Sequence, residues 1–140
     1  MRNYLKTTAG IALSLGMTTA TIADVSIGSL QGYTGPLESL IGDIHDGTML
    51  AASEANASGQ YAHGTINVPE GDSKCIDADA AIAEAERLIN DGVIGLVGPN
   101  CSGVTTAVIN NVTAANGVVN ISPSATSPAL STIEDNGFFF

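Results

Sequence analysis

The chain has 140 residues, of which 44% are hydrophobic and 13% are charged, and its formal net charge is −10. This composition is too apolar and too weakly charged for a disordered chain, and the length suits one domain with a modest core. With only 4 lysines and arginines, the chain lacks a surface that could track phosphates, so we expect no nucleic-acid partner. An anionic membrane surface would repel it as well.

The first segment has the pattern of a secretory signal peptide. Arg2 and Lys6 precede an uncharged run whose centre is apolar and whose end is rich in small residues. This order of a basic start, a short apolar core and a small-residue exit is typical of export signals. The threonines leave the apolar run too short for a membrane span. We expect a signal peptide at 1–23, cleaved after Ala23 or alternatively after Ala20, and a folded domain at 24–140.

The rest of the chain alternates between strand and helix patterns. The 93–97 segment is apolar without alternation, which is typical of a strand buried on both faces of a parallel sheet. Thr34 and Asp77 are placed to begin the first and second helices, and Pro36 fits in the first turn of the first. A β-α-β alternation predicts a doubly wound, mainly parallel α/β sheet with flanking helices and right-handed crossovers. The predicted strands are 25–30, 64–68, 93–97 and 118–121, with a short fifth at 138–140; the predicted helices are 36–58, 77–90 and 104–115; and 69–75 is a loop.

Two loops rich in hydroxyl groups follow the third and fourth predicted strands, at 98–103 and 122–128. Both should open at the carboxyl edge of the sheet, where ligands of open α/β sheets bind. Ser102 begins a predicted helix, and a hydroxyl beside free N–H groups suits an anion such as a carboxylate. A purely structural role is an equal alternative, in which Ser102 caps the helix and Thr126 stabilises a turn.

Cys75 and Cys101 are the only cysteines. In an oxidising compartment such a pair is most simply a disulfide. A metal site is the rival interpretation, but it needs about four ligands, and His45 and His63 lie in other segments. We expect both histidines to be exposed and without a functional role, and we expect no metal site and no cofactor.

No catalytic constellation accompanies these loops. The chain has neither a Gly-x-Ser-x-Gly elbow nor a phosphate-binding glycine loop followed by lysine. Cys101 as a nucleophile would need a free thiol and a neighbouring base. The Asn-x-Ser/Thr triplets at Asn56, Asn100 and Asn111 are weak glycosylation signals. The pattern therefore favours binding over catalysis.

Several motifs together resemble one family of proteins. They are Thr34-Gly35-Pro36, Glu54-Ala55-Asn56-Ala57, Asp72-Ser73-x-Cys75, Gly98-Pro99-x-Cys101-Ser102 and, most specifically, the Ile121–Leu130 stretch Ile-Ser-Pro-Ser-Ala-Thr-Ser-Pro-Ala-Leu. From Val25 onward the chain resembles the amino-terminal lobe of type I periplasmic solute-binding proteins, in the branched-chain amino acid group that serves ABC transporters. The 138–140 phenylalanine run resembles the strand of that family just before the chain crosses to a second lobe.

This resemblance implies a disulfide between Cys75 and Cys101 and a set of ligand contacts. Ser102 and Thr126 match residues that hold the ligand carboxylate, Ser124 matches one whose backbone carbonyl receives the ligand amino group, and Ala125 lies between them. Leu40 departs from the tyrosine of amino acid binders, which leaves room for amides, other amino acids or aromatic acids. Because the family closes two lobes on its ligand, a single lobe should bind weakly or not at all.

Three functions follow as hypotheses. The first is the periplasmic substrate-binding component of an ABC importer for amino acids or related carboxylates and amides, whose partners are the ligand and a membrane permease. The second is a sensory or regulatory domain of the same fold. The third is a small secreted enzyme whose 98–103 loop holds a phosphate, for which no general base is found.

Overall fold

The computed structural model describes residues 23–61 and 64–140. The predicted signal peptide, apart from its last residue, and His63 lie outside the described residues. Within these two ranges no helix combines the length and the apolar character that crossing a membrane requires.

Among residues 23–61 and 64–140, the structure has five short strands and three longer helical segments. The third helix continues from Val108 through a π-helical turn into a last α-helical turn. In chain order the elements are β1 (Val25–Gln31), α1 (Glu38–Ala57), β2 (Ile66–Asn67), β3 (Glu70–Asp72), α2 (Ala78–Asn90), β4 (Val93–Val97), α3 (Ser102–Val108, then Ile109–Thr113 and Ala114–Asn116), β5 (Val119–Ile121) and a 3₁₀ helix (Pro128–Thr132).

The strands form one parallel sheet in the order β2-β1-β4-β5, with β3 also paired to β1. β2 pairs with the start of β1 and β3 with its end, so both run along one side of the central strand. Between them the Pro69 carbonyl accepts a hydrogen bond from Ser29 N–H at 2.8 Å. The prediction of a loop over 69–75 is therefore wrong at its start. A proline without an N–H interrupts the strand, and the polar Glu-Gly-Asp sequence conceals that it resumes.

The hydrophobic core lies between the sheet and the helices α2 and α3. Leu30 of β1 and Leu96 of β4 pack with Leu88 of α2 and Val108 of α3, and all four side chains are at most 2% exposed. Asp77 caps α2, since its carboxylate accepts the Ala80 N–H at 3.0 Å. This core fixes the carboxyl end of β4, from which the 98–103 loop extends, beside β5, from which the 122–128 loop extends.

Helix α1 covers the other face of the sheet less completely. Ile41 is its one buried residue, and Leu40 is 62% exposed. A cavity of about 450 Å³ separates the Ala51 side of the helix from Ile27 and Val97 of the sheet. The prediction that Thr34 caps this helix is wrong, because Leu37 occupies the cap position and Thr34 instead bonds Asp72.

Two further boundaries differ from the sequence predictions. Helix α3 begins at Ser102 rather than at residue 104, which brings the predicted site residue into its first turn. The predicted strand at 138–140 is reduced to a parallel bridge between Asn120 and Phe139. The backbone N–H of Phe140 nevertheless donates to Asn120 O at 3.0 Å. This bridge extends the sheet edge beside β5.

Candidate binding site

The 98–103 loop turns the chain from β4 into α3. Gly98 N–H donates to Ile121 O at 2.7 Å, so the start of this loop is tied to the end of β5. Thr105 lies in the first turn of α3 with its hydroxyl buried, and it donates to Pro99 O at 3.1 Å and to Cys101 O at 3.0 Å. The loop is thereby held to both the sheet and its helix.

Ser102 connects the two hydroxyl loops directly. Its Oγ accepts the backbone N–H groups of Thr126 at 3.0 Å and Ser127 at 3.1 Å. A serine oxygen has two acceptor lone pairs and one hydrogen to donate. Because both lone pairs are used inside the protein, the hydroxyl hydrogen remains to be donated outward. Ser102 is thus arranged as a donor, which is the role that a carboxylate ligand requires.

Serines of the 122–128 loop complete the connection from the other side. Ser122 Oγ donates to Pro99 O at 2.6 Å and accepts the Ala125 N–H at 2.9 Å. Ser124 Oγ donates to Asn100 O at 3.0 Å. Each hydroxyl in these contacts pairs with a backbone group of one of the two loops, so both loops have a single defined arrangement.

The structure brings the four predicted ligand residues, Ser102, Ser124, Ala125 and Thr126, into one region at the carboxyl edge of the sheet. Thr126 is exposed, and its side-chain hydroxyl has no hydrogen bond among the described residues. Ala125 and Thr126 also line an open cavity of about 480 Å³ that extends to Asp135 and Phe139. Their side chains are therefore accessible to a small molecule.

The two cysteines form a disulfide, with their Cα atoms 5.2 Å apart. The bond joins the segment that follows β3 to the residue immediately before Ser102. Among residues 23–61 and 64–140 no group of histidine, cysteine or acidic side chains is arranged to hold a metal ion. The cysteine pair thus fixes the base of the 98–103 loop.

Sequence reasoning missed Asn100, which it considered only as a glycosylation signal. The side chain is 3% exposed, and its Oδ1 accepts the Gly32 N–H at 3.0 Å. A side-chain amide this buried is not accessible for attachment of an oligosaccharide. Its position directly before Cys101 and Ser102, after an apolar strand, is the one signal that could have identified it as part of the loop framework.

His45 is not the exposed residue that its place on a polar helix face suggested. Its Nδ1 lies 3.0 Å from the Tyr33 hydroxyl, and its Nε2 lies 3.5 Å from Glu70 Oε1. Tyr33 OH also lies 2.8 Å from the buried Ser29 Oγ. Burial raises the pKa of Tyr33, and the charges of Glu70 and Asp72 add to this rise against the hydrogen bond with Ser29. The phenol is therefore neutral at physiological pH. Through Tyr33, His45 of α1 is linked to Ser29 of β1, and His45 itself reaches Glu70 of β3.

Asp72 organises the turn between β1 and α1. Its carboxylate accepts the hydroxyl and the N–H of Thr34 and the N–H of Lys74. Partial burial raises the pKa of Asp72, but the hydrogen bonds from Thr34 and Lys74 and the charge of Lys74 outweigh it and hold the pKa below the ordinary value of 3.8. A carboxyl group whose pKa falls on folding stabilises the fold above its unfolded pKa, and this stability is lost as the pH falls through the folded value.

We therefore expect Asp72→Asn to lower the free energy of unfolding at neutral pH and to lessen its decline on acidification below about pH 4. Urea unfolding at neutral pH and near pH 3 measures both effects. The matched variant Thr34→Val removes one of the hydrogen bonds and should give an intermediate decline. An acid decline of wild-type size in Asp72→Asn would contradict this assignment.

An open parallel α/β lobe with accessible hydroxyls on two loops at its carboxyl edge defines a small-molecule binding module. A family model described as periplasmic binding protein matches residues 24–140. The chain belongs to this family, and the fold and the resemblance predicted from its motifs are confirmed.

Relatives and solved structures agree with this assignment. The Leu/Ile/Val-binding protein BraC3 of Rhizobium johnstonii is 32% identical over 90% of this chain and 34% of its own length. The Leu/Ile/Val-binding protein of Escherichia coli is 26% identical over 76% of this chain and 29% of its own length. The isoleucine complex of LivJ, a branched-chain amino acid transporter substrate binding protein from Streptococcus pneumoniae, superposes with a TM-score of 0.75 at 30% identity, over 84% of this chain and 33% of that one. The chain thus spans about a third of the length of these proteins, which are named as binding proteins.

Proposed function

We propose that residues 24–140 form the first lobe of the substrate-binding component of an ABC importer for amino acids or related carboxylates and amides, located in the periplasm after removal of the signal peptide at 1–23. A second lobe would close over the ligand, and the complete protein would deliver it to a membrane permease. The relatives named as Leu/Ile/Val-binding proteins support this ligand class.

The observation that carries the proposal is the hydrogen bonding of Ser102. With both lone pairs of its Oγ occupied by backbone N–H groups, the hydroxyl has only a donor left, and a carboxylate is a pure acceptor. The unpaired hydroxyl of Thr126 supplies a second donor on the neighbouring loop. The backbone carbonyl of Ser124 accepts no hydrogen bond among the described residues, and it is available to the ligand amino group.

The test is titration of the exported chain with leucine, isoleucine, valine and their amides. The backbone amide NMR signals of Ser102 and Thr126 report the binding. Of the two expectations for a single lobe, weak binding or none, the accessible hydroxyl of Thr126 and the free donor of Ser102 favour weak binding, and NMR detects affinities in the millimolar range. We expect both signals to shift with the amino acids. If neither signal responds to any of these compounds at millimolar concentration, the proposed ligand class is wrong.

We expect Thr126→Val to weaken amino acid binding about tenfold or more, because a hydrogen bond to a charged group contributes about 1.5–3 kcal/mol. NMR titration of the variant measures the change in Kd. Ser53→Ala, which removes an exposed hydroxyl from the middle of α1, is the matched control and should bind as the wild type does. Equal affinities of Thr126→Val and the control would remove Thr126 from the ligand set.

A further inference from the structure

Asn100 connects three of the loops at the carboxyl edge of the sheet. It belongs to the 98–103 loop, and its side-chain Oδ1 accepts the N–H of Gly32, in the turn between β1 and α1, at 3.0 Å. Its backbone carbonyl accepts the hydroxyl of Ser124, in the 122–128 loop, at 3.0 Å. One residue therefore joins the turn after the central strand to both hydroxyl loops.

The surroundings of Asn100 leave these contacts little freedom. The residue is 3% exposed, so water does not compete for its acceptors. Gly32 is packed against Cys75, since a Cβ placed on it would lie 3.4 Å from the Cys75 Cβ. Cys75 is in turn bonded to Cys101, the neighbour of Asn100. The side-chain contact and the disulfide thus attach adjacent residues of the 98–103 loop to two segments that pack against each other, the turn after β1 and the segment after β3.

We propose that Asn100 is a positioning residue for the ligand, which fixes the spacing between the hydroxyl donor of Ser102 and the groups of Ser124 and Thr126. This inference rests on the proposed function, since it concerns the same site. Asn100 does not touch the ligand. It acts through the Ser124 hydroxyl, whose hydrogen bond to Asn100 O fixes the distance between the 122–128 loop and the 98–103 loop. It also acts through Gly32, which ties the 98–103 loop to the end of β1.

The structural reason is that the ligand must meet the donor of one loop at the same time as the donor and the carbonyl of the other loop. Two hydrogen bonds to one carboxylate form together only when their donors keep a fixed separation, so a displaced loop loses one of them. Alanine at position 100 removes the acceptor for Gly32 and leaves a buried N–H without a partner. The 98–103 backbone is then free to move away from β1, and the Asn100 carbonyl that holds Ser124 moves with it.

The test compares Asn100→Ala with Val112→Ala in the exported chain. Val112 is 1% exposed in the π-helical turn of α3, within the core and apart from the hydroxyl loops. Its truncation lowers stability by core loss alone. We expect both variants to melt at lower temperature. Below the melting range, Asn100→Ala should bind leucine about tenfold more weakly, whereas Val112→Ala should keep the wild-type Kd.

A second measurement needs no ligand. In Asn100→Ala the Gly32 amide should exchange with solvent faster, and the Thr126 and Ser127 amide signals should shift, because the bonds to Ser102 Oγ change with the loop. Unchanged Thr126 and Ser127 signals would overturn this inference whether or not leucine binds. A wild-type Kd in the folded Asn100→Ala variant would overturn it as well, whereas absence of binding by the wild-type chain would overturn the proposed function.

Discussion

Replacing Gly98 with alanine is expected to prevent the chain from folding. Gly98 has a φ of +113°, a backbone conformation that residues with a side chain rarely adopt. A Cβ at this position would overlap the carbonyl oxygen of Leu30 and lie 2.7 Å from its carbonyl carbon. The substitution therefore combines backbone strain with a collision against the central strand.

No small shift of the backbone relieves this overlap. The Leu30 backbone lies in β1, which is paired with β3 on one side and with β4 on the other, so moving it would disturb both neighbours. Gly98 itself is tied to β5 through its bond to Ile121. We expect a loss of more than about 4 kcal/mol, in the range of the most damaging single substitutions, and this is comparable to the whole stability of many small domains.

Gly103→Ala is the matched control, because it makes the same chemical change five residues further along the chain. Gly103 lies within α3, and a Cβ on it would meet no atom within 4 Å. Alanine is favoured over glycine in a helix by about 1 kcal/mol, so this variant should be at least as stable as the wild type. Circular dichroism and urea unfolding measure the contrast. A cooperative transition of Gly98→Ala at the wild-type midpoint would refute this account of the 98–103 loop.

The elements with strong apolar patterns could be predicted from the sequence. β4 has its predicted bounds, Val93–Val97. The expected burial on both faces is wrong, because Val93 and Leu96 are buried but Ile94 is 63% exposed. Helix α2 agrees with the predicted 77–90 helix to within one residue, because a periodic apolar face and an acidic residue at the positive end favour the same element; it spans Ala78–Asn90, and Asp77 is its cap. The parallel order of the sheet follows from the β-α-β alternation.

Features that depend on distant partners were not predictable. Thr34 has the chemistry of a helix cap, but Asp72, 38 positions further along, offers it a stronger partner. His45 lies on a polar face, but the fold brings Tyr33 and Glu70 to it. In each case a local propensity is overridden by a long-range contact that only the tertiary structure creates.

The candidate site likewise has features that the sequence predicts and features that depend on distant partners. The hydroxyl loops and Ser102 could be predicted, since composition and position after parallel strands suffice to place them at one edge. The acceptor role of Ser102 toward Thr126 and Ser127 could not, because it depends on how two loops approach each other. Asn100 was missed because its side chain acts inward, on the backbone of Gly32, rather than toward the ligand edge.

Removing the disulfide is expected to lower the free energy of unfolding by about 3 kcal/mol. Cys75 and Cys101 are 26 positions apart, and closing a loop of this length restricts the unfolded chain by about that amount in the chain-entropy model. A local effect adds to it. Lys74 and Cys75 have φ values of 51° and 65°, in the left-handed region that residues other than glycine disfavour. The bond to Cys101 holds this turn in place.

The double variant Cys75→Ala/Cys101→Ala tests this expectation against oxidised wild type in urea unfolding. Wild type treated with a reductant is a third arm, and it should unfold at nearly the same urea concentration as the double variant, because both lack only the cross-link. The reductant should leave the double variant unchanged. Because Cys101 directly precedes Ser102, we also expect the Ser102 and Thr126 amide signals to broaden when the bond is absent. An equal midpoint for oxidised wild type and the double variant would show that the contacts of Asn100, Ser122 and Ser124 hold the loops without the disulfide.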